Sequence, residues 1–234
     1  MTKIFYKLFL ASLLGALLGS FLTLYSGNQN SASISSPVIS VPTESVLTPG
    51  LWEKISSRLS SSSVGIQVYG ADRLVREGSG LVVSSDGLIV APADLAISGG
   101  IYQVFHEDKI YKGQIVLKSY KLNLLLLKTE ALYSNVADLD IDYNYQSGQE
   151  ILMLGKIFEL SKPSVISQRG LISYVTEKSI AIDSIPNSYL LGTGVANLDG
   201  KFIGLSYLRN GKINIVRADL IDGFFREYLN KSNK

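Results

Sequence analysis

Apolar and polar positions divide the chain into an unbroken apolar run, a polar stretch and a long series of short β-type segments. Those segments begin at Val64–Tyr69 and continue as Gly80–Val83, Leu88–Val90, Gln114–Leu117, Leu124–Leu127 and Ile151–Leu154. They resume as Gly170–Ser173, Ser179–Ile182, Phe202–Leu205 and Ile213–Val216. Turn residues punctuate them, as in Ser85-Asp86-Gly87, Asp199-Gly200 and Asn210-Gly211. Many short strands with almost no helical periodicity predict an all-β barrel or sandwich. Helical spacing occurs at two places. Leu51, Trp52, Ile55 and Leu59 form a stripe that predicts a short helix over 50–60, opened by Pro49. Leu220, Ile221, Phe224, Phe225 and Tyr228 predict a C-terminal helix from Ala218 to Leu229.

The apolar run, residues 8–25, carries no charge. As a helix it measures roughly 27 Å, close to the hydrocarbon thickness of a bilayer. Lys3 and Lys7 precede it and no further Lys or Arg occurs before Lys54. The positive-inside bias then puts residues 1–7 in the cytoplasm, makes 8–25 a transmembrane signal anchor, and places everything beyond it outside a bacterial-type cell membrane. A cleaved signal peptide is the competing interpretation, although Leu24-Tyr-Ser-Gly-Asn28 makes a poor cleavage site. Both interpretations export the remainder of the chain. Ala11, Gly15 and Gly19 share one helix face, a spacing that allows two anchors to pack into a homo-oligomer. Residues 26–49 are rich in Ser, Thr, Asn and Pro and read as a flexible linker.

Composition narrows the chemistry. The formal net charge is +2 and no basic run occurs after the anchor, which argues against nucleic acid as a partner. The absence of cysteine removes disulfides, thiolate nucleophiles and zinc–thiolate sites together. Histidine occurs once, at His106, where Val104–Lys109 reads as a strand running into a polar hairpin on the outside of a barrel. An exposed side chain is expected there. Asp138, Asp140 and Asp142 alternate as on one strand face, a solvated edge rather than a calcium site. No metal or cofactor is expected.

Five segments, in order, carry a resemblance. Gly78-Ser-Gly-Leu-Val-Val-Ser-Ser-Asp-Gly-Leu-Ile-Val90 and Leu122-Asn-Leu-Leu-Leu-Leu-Lys128 come first. Ser147-Gly-Gln-Glu-Ile-Leu-Met-Leu-Gly155, Gln168-Arg-Gly-Leu-Ile-Ser173 and Asn197-Leu-Asp-Gly-Lys-Phe-Ile-Gly-Leu205 complete the series. Together they resemble the HtrA (DegP-like) branch of the trypsin-like serine proteases. The resemblance covers about Val64–Phe225 and implies two packed six-stranded β-barrels, so the expected fold is an all-β double barrel over 64–229 that includes the C-terminal helix, follows the transmembrane helix and linker read above, and departs from the family in lacking its usual PDZ domain. It also implies a cleft between the barrels that binds extended peptide.

Serine-protease catalysis needs a hydroxyl nucleophile, an imidazole, an orienting carboxylate and N–H donors for the oxyanion. Carried across position by position, the resemblance puts Asp94 where the family has histidine and Asn123 where it has aspartate. Leu191 falls on the nucleophile, and Tyr189, Leu190 and Gly192 fall on the surrounding loop. His106 lies too far along the chain to substitute. Ser184 and Ser188 lie near the loop, with Lys162 and Lys178 in neighbouring segments, but no spacing links them as a Ser–Lys pair. These changes lead to the expectation that the chain is not an enzyme. It is expected to be a catalytically inactive, membrane-anchored pseudoprotease that binds, scaffolds or regulates a protein or peptide client. An unconventional endopeptidase is the alternative.

Overall fold

In the computed structural model, which describes residues 50–159, 162–176 and 180–232, the β-type runs pair into two closed six-stranded barrels. The first contains β1 (Ser63–Gly70), β2 (Arg73–Val82), β3 (Leu88–Pro92), β4 (Ile101–His106), β5 (Lys109–Ser119) and β6 (Leu124–Lys128). It closes in the order β1-β2-β3-β6-β5-β4. The second contains β7 (Glu150–Glu159), β8 (Lys162–Val175), β9 (Ile180–Asp183), β10 (Gly194–Ala196), β11 (Phe202–Arg209) and β12 (Lys212–Arg217), closed as β10-β11-β12-β9-β8-β7. Helix α1 (Leu51–Ser60) precedes the barrels and helix α2 (Ala218–Ser232) comes after them. The double barrel implied by the resemblance is therefore what the chain forms. Among the described residues no helix is long and apolar enough to cross a membrane. The apolar run at 8–25 and the linker at 26–49 lie outside the described residues.

Three apolar clusters hold this arrangement. Val64, Ile66, Val68, Val104, Leu125 and Leu127 fill the first barrel, and Ile151, Met153, Ile172, Val195, Ile203 and Ile213 fill the second. The third lies between them and joins Leu81, Val90, Leu124, Leu126, Leu154 and Phe202 to Ile55 and Leu59 of α1 and to Ile221 and Phe224 of α2. Strand alternation explains why β6 has no polar position among its four leucines. Leu125 and Leu127 face the barrel interior, while Leu124 and Leu126 face the seam, and all four are fully buried. Each such side chain contributes about 1.5–3 kcal/mol by leaving water. At the far end of α1, Arg58 donates to the carbonyls of Asp199 (2.9 Å) and Gly200 (2.6 Å), tying the helix to the second barrel.

Two sequence expectations are corrected here. His106 is only 9% exposed, not a surface side chain. Alternation along β4 turns it inward with Tyr102 and Val104, and Tyr133 meets it edge-on at 4.8 Å while the Ser61 carbonyl lies 2.8 Å from Nε2. The imidazole thus plugs the mouth of the first barrel beneath the chain leaving α1. Likewise, Asp138–Asp142 is not a strand. A single parallel bridge pairs Leu139 with Phe202 at the start of β11, before that strand's pairing with β12 begins at Gly204, and Asp140 Oδ2 accepts from Asn197 Nδ2 at 3.0 Å.

The same connecting segment is locked by Tyr145, whose hydroxyl donates to the Ile203 carbonyl (2.5 Å) and accepts from the Ala218 N–H (3.3 Å). Burial pushes this phenol up to about 12, from an ordinary value of 10.0. A phenol whose folded value is raised stabilises the fold fully below its unfolded value. That contribution is lost as pH climbs through the window from 10.0 to about 12. Tyr145→Phe should lower stability by about 1–2 kcal/mol near neutral pH, since it strands a buried carbonyl and a helix N–H. It should also flatten the alkaline loss of stability, and denaturant unfolding at neutral pH and above pH 10 measures both effects.

Candidate functional site

The seam between the barrels brings together the ends of β3, β6 and the loop before β10. After β3, a 3₁₀ turn over Ala93–Leu95 buries Ala93 and Leu95 and leaves Asp94 exposed. Immediately before β6, Asn123 adopts a left-handed backbone (φ 54). Its carbonyl accepts from the Ala93 N–H at 3.1 Å and its side-chain amide donates to Asp94 Oδ2 at 3.0 Å. Asp94 and Asn123, far apart in sequence, are therefore direct neighbours. Arg76 on β2 adds donors to the Asp94 and Ala96 carbonyls and fixes the turn from the other side.

The loop from the second barrel sends three consecutive residues in three directions. Tyr189 is 44% exposed, Leu190 is buried in the core of the second barrel, and Leu191 packs against the core of the first. A 3₁₀ turn over Ser188–Leu190, capped by the Asn187 side chain, produces this divergence. Gly192 comes next with φ 78, pressed so closely on β2 that an added Cβ would stand 2.0 Å from the Ser79 carbonyl oxygen. Pro92 at the end of β3 lies on the same spot. The sequence-derived positions thus meet where the two barrels touch. Beside them a void of about 30 Å³, lined by Glu77, Lys156, Phe158 and Tyr189, has room for about one water molecule.

From Tyr189 to Thr193 every main-chain N–H is already donated. Tyr189 gives to Asn187 Oδ1 (3.1 Å), Leu190 to the Asn187 carbonyl (3.0 Å) and Leu191 to the Ser188 carbonyl (3.1 Å). Gly192 gives to the Ser206 carbonyl (3.0 Å) and Thr193 to the Leu190 carbonyl (3.3 Å). An oxyanion site built from this loop requires the turn to release at least one of these bonds. The buried hydroxyls below are likewise engaged, Thr193 Oγ1 with Ser206 Oγ at 2.7 Å.

The other candidates are dispersed. Ser184 accepts from the Gln168 amide, Ser188 is exposed in the 3₁₀ turn, and Lys162 sits at the start of β8 beside the hairpin tip. Lys178 lies outside the described residues. Among the described residues no cluster of three or more His, Cys, Asp or Glu side chains could hold a metal. One participant escaped the sequence entirely. Ser79 sits in a neutral, ordinary hairpin motif, yet its N–H donates to the Leu191 carbonyl (2.9 Å). Its hydroxyl accepts from the Lys156 N–H (2.8 Å) and donates to the Lys156 carbonyl (3.1 Å).

Comparisons with known proteins agree with this architecture. No family model matches the chain. It is 28% identical over 193 residues to "Serine protease HTRA4" of Homo sapiens, and 28% identical over 193 residues to the Mus musculus protein of that name. Each match covers 74% of this chain, and the chain spans only 40% of the length of these relatives. Among solved structures, the serine endoprotease from Yersinia pestis superposes with a TM-score of 0.67 at 17% identity, over 77% of this chain and 67% of that one. The fold is that of the trypsin-like proteases, and the sequence is similar to serine proteases of the HtrA kind.

These likenesses correct the expectation that the chain is not an enzyme. The relatives are named serine proteases and the solved neighbour is a serine endoprotease. Asp94, Asn123 and Leu191 are three positions, whereas the similarity runs along 74% of the chain.

Gly192→Ala should cost at least about 3 kcal/mol, because a left-handed alanine is strained and its Cβ would strike a main-chain oxygen of the other barrel. Thermal unfolding of the variant against the conservative surface change Leu132→Ala measures this loss.

Proposed function

We propose that this chain is a membrane-held, extracytoplasmic domain of HtrA-type protease build that takes hold of extended polypeptide at the cleft between its barrels. One observation carries the reading: β11 has an open end beside the candidate site. Ser206 turns both of its main-chain groups toward the 189–193 loop, donating to the Thr193 carbonyl (2.9 Å) and accepting from the Gly192 N–H (3.0 Å). Two residues on, Leu208 presents its N–H and C=O on the same side, and no strand pairs with it there among the described residues. An extended peptide can add to that edge by main-chain hydrogen bonds, with neighbouring side chains supplying selectivity. Tyr189, exposed at the rim, is a surface for its side chains.

In this reading Asp94, Asn123 and Leu191 occupy the positions where the family carries its triad, and Tyr189, Leu190 and Gly192 replace the nucleophile loop. The uncharged apolar run at 8–25, flanked by lysines on one side only, supports the membrane tether. The names of the relatives favour a second outcome, that polypeptide held in the cleft is also cut. Ser188 is the exposed hydroxyl of the loop turn and the residue on which that outcome depends.

The test is incubation of the full chain with unstructured casein peptides, with binding and cleavage monitored separately. Binding should fall roughly tenfold in Leu208→Pro, which deletes the open N–H and leaves the β12 ladder intact. Equal binding by this variant would defeat the reading. Mass spectrometry reports cleavage, and loss of product in Ser188→Ala would assign the hydroxyl.

A further inference from the structure

Past Leu208, strand β11 runs into a tight hairpin. Asn210 (φ 52) and Gly211 (φ 68) turn the chain, and Arg209 pairs directly with Lys212 across it. Alternation fixes the side that these two cations take. Leu208 packs into the core of the second barrel, whereas Tyr207 packs against the cluster between the barrels. Arg209, two residues beyond Tyr207, therefore stands on the seam-facing side, about 7 Å further along the strand. Lys212 is its cross-strand partner and stands on the same side, while Ile213 is buried in the second core.

Two like charges directly opposite one another repel, and their neighbours do not relieve them. Both residues are exposed, and among the described residues neither enters an ion pair. Asp183 lies one step beyond Ile182, which pairs with Ile213, yet it makes no ion pair with Lys212. The turn on the first-barrel side has the same sign. Residues 118–123 read Lys-Ser-Tyr-Lys-Leu-Asn without a carboxylate, and Leu122 packs against the same cluster as Tyr207. Lys118 lies 4.7 Å over the ring of Tyr120, which is itself exposed. The carboxylates of the cleft are placed elsewhere. Asp94 accepts from the Asn123 amide, and Glu77 lines the void beside Tyr189.

We infer that the β11 site, taken as proposed above, selects extended polypeptide with acidic side chains, which Arg209 and Lys212 receive where the segment passes the end of β11. Alternate side chains of a strand added at Leu208 point to one side, so carboxylates at every second position meet two cations standing on that side. An acidic segment also ends the repulsion between Arg209 and Lys212, whereas a neutral one leaves it in place. The pair therefore discriminates between segments by charge, while the main chain of β11 binds either kind.

The probes are two synthetic peptides of one length and one Val/Thr-rich sequence, with Glu at every second position in the first and Gln in the second. Each is titrated against the full chain at low and at high salt. The Glu peptide should bind roughly tenfold more tightly at low salt. Its advantage should shrink as salt screens the exposed pair. In the double variant Arg209→Gln, Lys212→Gln the advantage should vanish while the Gln peptide binds as before. This variant should unfold no earlier than the parent on heating, because a like-charged pair has been removed. Lys212→Gln alone serves if the double variant does not fold, and it should remove part of the advantage. Leu208→Pro should weaken both peptides, which tests the edge itself. Equal binding of the two peptides, both weakened by Leu208→Pro, overturns the inference and leaves the β11 site standing. A preference for Glu that survives the charge variants overturns it as well, since the selecting cations then lie elsewhere. Failure of both peptides to bind, or binding indifferent to Leu208→Pro, overturns the site and the inference together. Vesicles of anionic phosphatidylglycerol held through Arg209 and Lys212, with no preference between the peptides, would assign the pair to a membrane surface and overturn the inference.

Discussion

Ser79 is where the two barrels become one body. Its N–H holds the Leu191 carbonyl, its hydroxyl both accepts from and donates to the Lys156 main chain, and its own carbonyl lies against Gly192. Two segments of the second barrel, β7 and the loop before β10, therefore converge on one residue of β2. Each hydrogen bond contributes only about 0.5–1.5 kcal/mol net, but breaking one here leaves a fully buried group unpaired, which costs more. The apolar seam of Leu81, Leu154 and Phe202 presses the barrels together without direction, and the Ser79 contacts give that pressure a single register. Gly194, whose missing Cβ leaves room for the Phe202 ring, and Gly155, which leaves room for Ser79 itself, are consequences of the same close approach.

The candidate site inherits its shape from this constraint. Because Leu191 and Gly192 are held against β2, the loop before β10 cannot wander, and its N–H groups from Tyr189 to Thr193 are spent within the turn or, at Gly192, on β11. Asp94 and Asn123 are set on the other rim by the first barrel alone, through the Ala93–Asn123 main-chain bond. Near the end of β11, Leu208 leaves main chain without a paired strand on the side of this loop among the described residues. Closed barrels remove most edges, so the few that remain are conspicuous.

The fold was largely legible because its signals are local. Short apolar runs, the Asn210-Gly211 turn at φ 52 and 68, and the amphipathic spacing of α2 each act within a few residues. The same locality misled at His106 and Asp138–Asp142. A polar hairpin sequence says nothing of Ser61 and Tyr133 closing over an imidazole, and alternating aspartates make a strand only where a partner edge exists. Strand β10, only Gly194–Ala196, is too short to leave a periodic trace. The expectation about enzyme activity failed for a different reason. It followed from three positions, Asp94, Asn123 and Leu191, whereas the similarity to serine proteases runs along 74% of the chain.

The sequence by itself determined the all-β class, the two flanking helices, the single histidine and tryptophan, and the absence of thiol chemistry, because composition and short-range periodicity need no knowledge of what lies opposite. Only the tertiary structure decided that Asp94 touches Asn123, that Leu190 and Leu191 enter different cores, and that Ser79 joins the barrels. It also decided which main-chain groups remain open on β11. Those facts depend on contacts between residues tens of positions apart, and hydrogen-bond saturation is a property of the closed barrel rather than of any one strand.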